Sequence, residues 1–129
     1  MTTKLLILVL DDDPTLRHMV EVMLRQDGHE VVTSADVQSA LAQCSVELPD
    51  LMIVDLMLPV EDGETFLREF RRRFRNVNVP VVLLSASSAR GDIARRLGVE
   101  ATLAKPFVAQ DLRDVVSDAA AKRGSVAAG

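Results

Sequence analysis

Five short apolar runs, each followed by a segment of helical period, constrain this chain more than any other feature. LLILVL (5–10), EVVTS (30–34), LMIVDL (51–56), VPVVLLS (79–85) and TLAK (102–105) read as strands. Three of them are nearly continuous apolar runs, the pattern of parallel strands buried on both faces. Between them, apolar residues recur three and four positions apart. The first such segment carries Leu16, Met19, Val20, Met23 and Leu24. It opens on Asp13-Pro14, an N-cap followed by proline at the first helical position, and stops near Gly28. The second carries Val37, Ala40, Leu41 and Cys44; the third carries Phe66, Leu67, Phe70 and Phe74. The fourth, around Ile93, Ala94 and Leu97, is short. The last carries Leu112, Val115, Val116, Ala119 and Ala120 and is expected to end at Lys122-Arg123-Gly124. Strands alternating with helices predict an α/β domain built on a parallel sheet. One domain is expected over residues 1–124, with 125–129 a flexible tail or the start of a linker.

Charge and cysteine content narrow the function classes. The net charge of -4 argues against nucleic acid as a direct partner of this domain. The longest apolar run, LLILVL, is far too short to span a bilayer, and no secretory segment with a cleavage site is visible. A cytoplasmic protein without membrane insertion is therefore expected. Cys44 is the only cysteine. It has no disulfide partner within the chain and lies in an apolar series, so it reads as a buried structural thiol.

The residues with chemistry in them sit at the ends of the predicted strands. Asp11 and Asp12 end the first, Asp55 the third, Ser85 the fourth and Lys105 the fifth. Ligands of open parallel sheets bind at the carboxyl ends of the strands. If strands one, three and four are neighbours, three carboxylates, a hydroxyl and an ammonium converge. Like charges so close repel by roughly 4 kcal/mol per pair at about 4 Å and an effective dielectric near 20. A hard divalent cation relieves that repulsion, and an all-oxygen donor set suits Mg²⁺ rather than Zn²⁺. A carboxylate beside Mg²⁺, a lysine and a serine can accept a phosphoryl group. Asp13 reads instead as the helix cap.

At these positions the sequence closely resembles the receiver domain of two-component response regulators, of the chemotaxis-receiver type. The resemblance rests on DD after strand one, PDLMIVD followed by LPVEDG, SA after strand four and KPF after strand five. It implies a doubly wound, flavodoxin-like five-stranded parallel sheet of order 2-1-3-4-5 with helices on both faces. It makes Asp55 the phospho-acceptor and Asp12 a direct Mg²⁺ ligand, with Asp11 helping directly or through water. The backbone carbonyl of Met57 would complete the metal site. Ser85 takes the place of the switch hydroxyl, Lys105 would contact the phosphoryl group, and the Lys105–Pro106 bond is expected to be cis. The implied partners are a histidine kinase or histidine phosphotransfer protein and a downstream output protein or domain. A domain of this kind catalyses only its own phosphorylation and dephosphorylation.

Three features depart from the family pattern. Thr102 stands where an aromatic residue is usual, the span from Ser85 to Gly98 is about two residues short, and Val60-Glu61 precede Asp62-Gly63. Two other readings compete. One is a pseudo-receiver that binds partners without phosphorylation. The other takes DDDPTL as the opening motif of haloacid-dehalogenase-type phosphohydrolases, with Asp11 as nucleophile and Asp13 as acid/base; it leaves Asp55 and LPVEDG unexplained. The run REFRRRFR reads as a solvated helix face, with an acidic partner surface as the alternative. His18 and His29 have no partner at metal-ligand spacing.

Overall fold

The computed structural model describes residues 4–99 and 101–128, with side chains described as far as residue 122. Strands β1 (Leu6–Leu10), β2 (Glu30–Ser34), β3 (Leu51–Asp55), β4 (Val81–Ser85) and β5 (Ala101–Ala104) alternate with helices α1 (Pro14–Gln26), α2 (Val37–Val46), α3 (Gly63–Arg73), α4 (Arg90–Leu97) and α5 (Ala109–Ala128). The sheet is parallel throughout, in the order β2-β1-β3-β4-β5. That is the expected doubly wound arrangement.

The continuous apolar runs are explained by two cores, one on each face of the sheet. Leu8, Leu10, Met52, Val54 and Leu83 pack against Leu41, Cys44, Phe66 and Phe70 of α2 and α3. Their alternate neighbours Ile7, Val9, Ile53, Val82 and Leu84 pack against Val20, Leu24, Leu112 and Val116 of α1 and α5. Successive strand side chains point to opposite faces, so a strand covered on both sides must be apolar at every position. The three central strands β1, β3 and β4 meet that requirement, and the site forms where their apolar runs end.

Local signals place most helix ends. Asp13, Asp36 and Asp62 cap α1, α2 and α3 by accepting backbone N–H bonds from the first turn. Gly28, at φ 92°, closes α1, where His29 N–H reaches back to the Leu24 carbonyl. Helix α4 is eight residues long and has no side-chain cap, ending at Gly98 with φ 67°. This agrees with its weak, short pattern. The expected end of the last helix is corrected: α5 continues to Ala128, past Lys122-Arg123-Gly124. Residues 125–128 of the expected tail thus belong to α5, while Gly129 and the side chains from 123 onward lie outside the described residues. All five strands begin and end within two residues of expectation, and β4 starts at Val81 because Pro80 before it has no N–H to give to a ladder.

Cys44 is buried, and burial pushes its thiol up to about 11. It is an unreactive part of the core. His29 is also buried, and its Nδ1 accepts the Leu5 N–H at 3.1 Å. Its work is structural, tying the chain before β1 to the end of α1.

Candidate phosphoacceptor site

Strand order decides which side chains meet. Because β3 lies between β1 and β4, and β5 flanks β4, the residues ending four different strands gather at one edge. Asp11, directly after β1, is fully buried; Asp55 at the end of β3 and Ser85 at the end of β4 are nearly so. Lys105 reaches in from the end of β5. Its backbone N–H bonds the Ser85 carbonyl at 3.0 Å, which continues the β4–β5 pairing by one step and aims the side chain at the pocket. The Lys105–Pro106 bond is cis, as expected.

The lysine joins two carboxylates. Its Nζ lies 2.9 Å from Asp11 Oδ2 and 3.0 Å from Asp55 Oδ2. The second oxygen of each acid is held by backbone. Asp13 N–H donates to Asp11 Oδ1 at 2.9 Å, and Met57 N–H donates to Asp55 Oδ1 at 3.0 Å. Arg17 donates to the Asp11 carbonyl at 2.8 Å, fixing the turn that carries the acids. That contact from α1 had no signal in the sequence.

The charges do not balance locally. Burial raises the Asp55 carboxyl above the ordinary carboxylate range, and the neighbouring charge of Asp11 adds to this; hydrogen bonds from Met57 and Lys105 only partly offset it. Burial alone would lower the Lys105 ammonium, yet its bonds to and attraction by Asp11 and Asp55 outweigh that and raise it. Both directions have one origin. Two buried carboxylates share one ammonium, so the lysine is held firmly charged while the acids remain in excess.

The run of three aspartates thus divides three ways. Asp11 is buried and bonded to Lys105. Asp13 is exposed and spends its carboxylate on the N–H groups of Thr15 and Leu16. It is not free for acid/base work, as the phosphohydrolase reading would require. Asp12 is exposed and bonds to none of the described residues. Asp11, Asp12 and Asp55 can each bring an oxygen within 4.8 Å of the others. An all-oxygen, strongly acidic donor set with one exposed arm fits Mg²⁺. The Met57 side chain is 74% exposed, so any part this residue plays falls to its backbone.

Ser85 Oγ accepts the Ser87 N–H at 3.0 Å, which leaves its own proton for another acceptor. Gly63 also belongs to this site, through the space it leaves. Gly63 has ordinary backbone torsions but no room: a Cβ there would lie 2.4 Å from the Asp55 carbonyl oxygen and 2.9 Å from Val54 Cγ1. The sequence offered it only as the last letter of LPVEDG.

Comparisons with known proteins converge on one family. The family model for the response regulator receiver domain matches residues 7–117. The phosphate regulon transcriptional regulatory protein PhoB of Escherichia coli is 35% identical over 108 residues, covering 82% of this chain and 47% of that protein. The alkaline phosphatase synthesis transcriptional regulatory protein SphR of Synechococcus elongatus is 37% identical over 117 residues, covering 82% of this chain and 45% of that one. The chain therefore spans about half the length of the curated relatives it matches. The chemotaxis protein CheY4 of Vibrio cholerae superposes with a TM-score of 0.83 at 28% identity, covering 91% of this chain and 99% of that chain. NtrX from Brucella abortus gives 0.86 at 31% identity, covering 95% of this chain and 28% of that one.

Proposed function

We propose, from the premise that this chain belongs to the response regulator receiver domains, that Asp55 is its phospho-acceptor. The observation that carries this is the Asp55 carboxylate at the end of the central strand, 3.0 Å from Lys105 and within metal-sharing distance of Asp11 and Asp12. Bound Mg²⁺, held by Asp11, Asp12, Asp55 and the Met57 carbonyl, would neutralise charge on the oxygens of the transferring phosphoryl group. The chain's own residues do the rest. Met57 N–H fixes the rotation of the Asp55 carboxylate. An Asp55 oxygen forms the new bond to phosphorus while the bond to the donor's histidine nitrogen breaks. Lys105 moves from the Asp55 carboxylate to a phosphoryl oxygen, and Ser85 donates its hydroxyl proton to another.

The donor is a histidine kinase or a histidine phosphotransfer protein, and the phosphorylated state is read by an output protein or domain. The domain accelerates only its own phosphorylation and dephosphorylation. A cytoplasmic setting follows from such a donor, and no helix among the described residues is long and apolar enough to cross a membrane. A pseudo-receiver would have no need to keep the acceptor, lysine, hydroxyl and acidic pair together. Phosphorylation with acetyl phosphate and Mg²⁺, followed by borohydride trapping and mass spectrometry, is expected to label Asp55 alone. Label on Asp11 would overturn the assignment.

The exposed, unbonded position of Asp12 gives a second expectation. Asp12→Ala removes a ligand without disturbing any bond among the described residues. Mg²⁺ affinity by calorimetry should fall by at least about tenfold, no less than the loss of a supporting partner typically costs. An unchanged affinity would remove Asp12 from the site.

Thr102 gives a third. It pairs with Leu83 at the sheet edge and is half-buried. A β-branched strand residue has few rotamers to exchange, and it cannot make the inward turn of an aromatic ring. Helix α4 is also tied to α3, by the bidentate Arg96–Glu64 pair at 2.9 Å and by Arg71 donating to the Leu97 carbonyl. Hydrogen exchange with and without beryllofluoride, a stand-in for the aspartyl phosphate, should therefore change at 56–63 and 86–92 and little at 99–120. Equal changes in all three would defeat this reading.

A further inference from the structure

The strongest feature left unused is the distribution of arginine. Eight of the chain's 15 basic residues fall between Gly63 and Leu97, and all eight are arginines. They face three carboxylates in that span, Glu64, Glu69 and Asp92, so the segment carries +5. With the whole chain at -4, the remainder carries -9. The charge is unevenly distributed along the chain, and its positive share lies on the segment that forms α3, β4 and α4.

The arginines are not used up internally. Arg68 and Arg96 share Glu64, and Arg72 and Arg73 share Glu69. Arg71 and Arg90 donate only to the Leu97 and Ser87 carbonyls, which leaves their charge unneutralised. Arg75 makes no hydrogen bond or ion pair to any described residue. Spacing of three residues puts Arg68 and Arg71 on one flank of α3; Arg71 reaches the Leu97 carbonyl of α4, Arg96 joins Arg68 through Glu64, and Arg75 follows two residues past the helix end. All four are exposed. Like charges four apart weaken a helix, and α3 carries one such pair, Arg68–Arg72. A face needed only for solubility gains nothing from that arrangement, nor from arginine in place of lysine. The guanidinium fork suits paired hydrogen bonds to carboxylates.

We propose that the α3–α4 flank, centred on Arg68, Arg71, Arg75 and Arg96, is a docking surface for an acidic protein segment. A short acidic segment is favoured over nucleic acid by the charge of the rest of the domain. At physiological ionic strength charges act over about 8 Å, so a short segment lying within the patch feels mainly its +5. A duplex running past the patch meets flanks of net negative charge. None of these arginines bonds to Asp55, Asp11 or Asp12, and the proposal stands whether or not phosphorylation occurs at Asp55.

The test uses the intact chain and a fluorescein-labelled peptide of alternating Glu and Ser, with amide shifts mapped by NMR. Binding is expected at low ionic strength, with shifts concentrated on α3 and α4 and weakening as salt rises. Arg68→Gln combined with Arg75→Gln should lower affinity by about tenfold. Arg75→Gln alone, which breaks no contact among the described residues, should lower it less and leave the melting curve unchanged. Absence of binding at low salt, or shifts centred elsewhere, would overturn the proposal. So would tighter binding of duplex DNA or of anionic phospholipid vesicles at equal charge concentration.

Discussion

Asp55→Asn is expected to abolish phosphorylation and to make the metal-free protein more stable at neutral pH. The first effect is chemical. The amide keeps the shape and can still accept from Met57 or Lys105, but it has no anionic oxygen to attack phosphorus. The second follows from the raised Asp55 carboxyl. A carboxyl whose pKa is higher folded than unfolded binds its proton more tightly in the native state. Wild-type stability is then fully present below the ordinary value of 3.8 and falls as pH rises through the higher folded value. Asparagine does not titrate, and it leaves Lys105 paired with Asp11 alone. Without Mg²⁺ at pH 7, Asp55→Asn should gain about 1 kcal/mol, a rise in Tm of roughly 3–6 °C. The gain should shrink toward pH 4 as wild type recovers its proton. Added Mg²⁺ should stabilise wild type more than the variant, because only wild type offers the third carboxylate. A variant less stable than wild type at pH 7 without metal would show that the Lys105 bond outweighs burial and repulsion.

Gly63→Ala, which alters no charge and no polar group, is expected to damage both fold and site. The added methyl would sit 2.4 Å from the Asp55 carbonyl oxygen and 2.9 Å from Val54 Cγ1. The nearest atom belongs to the backbone of the central strand, which continues its ladder where Leu56 N–H bonds the Leu84 carbonyl at 3.0 Å. It cannot swing aside as a side-chain tip could. The start of α3 must move instead, and Asp62 caps that helix from the neighbouring position. Overpacking of this kind costs about 1–3 kcal/mol. The displaced loop also carries the Met57 N–H that orients Asp55, so phosphorylation by acetyl phosphate should slow even where the variant is fully folded. Thermal denaturation and phosphorylation kinetics together check this. A variant matching wild type in both would mean that the loop yields freely.

The charge pattern bears on how these two effects would be separated. Glu64 lies one residue beyond Gly63 and joins Arg96 of α4, which holds its carboxyl down at about 2. A shift of α3 at Gly63 would therefore be felt at the α3–α4 tie as well as at Asp55. The tie is exposed and screened by solvent, so its contribution to stability is small. Its use is geometric: it sets where α4 rests.

The strand–helix alternation and the residues ending the strands were determined by sequence alone. Apolar runs such as LLILVL and VVLLS, five or six residues long and alternating with segments of helical period, point to strands buried on both faces. Asp13-Pro14 and Gly28 mark the ends of α1 through backbone chemistry that needs no distant partner. Asp11, Asp12, Asp55, Ser85 and Lys105 were legible as a group because a parallel sheet sends all its strand ends to one edge. Three things needed the tertiary structure. The sequence cannot say which of three adjacent aspartates is buried against Lys105, since that depends on the twist of the chain leaving β1 toward β5, more than ninety residues on. It cannot show that Gly63 is required for space rather than for torsion, because the obstacle is a carbonyl on another element. Nor does it place the arginines of α3 beside Arg96 of α4, because helical period gives a residue's angle on its own helix, while the neighbour it meets is set by how both helices lie on the sheet.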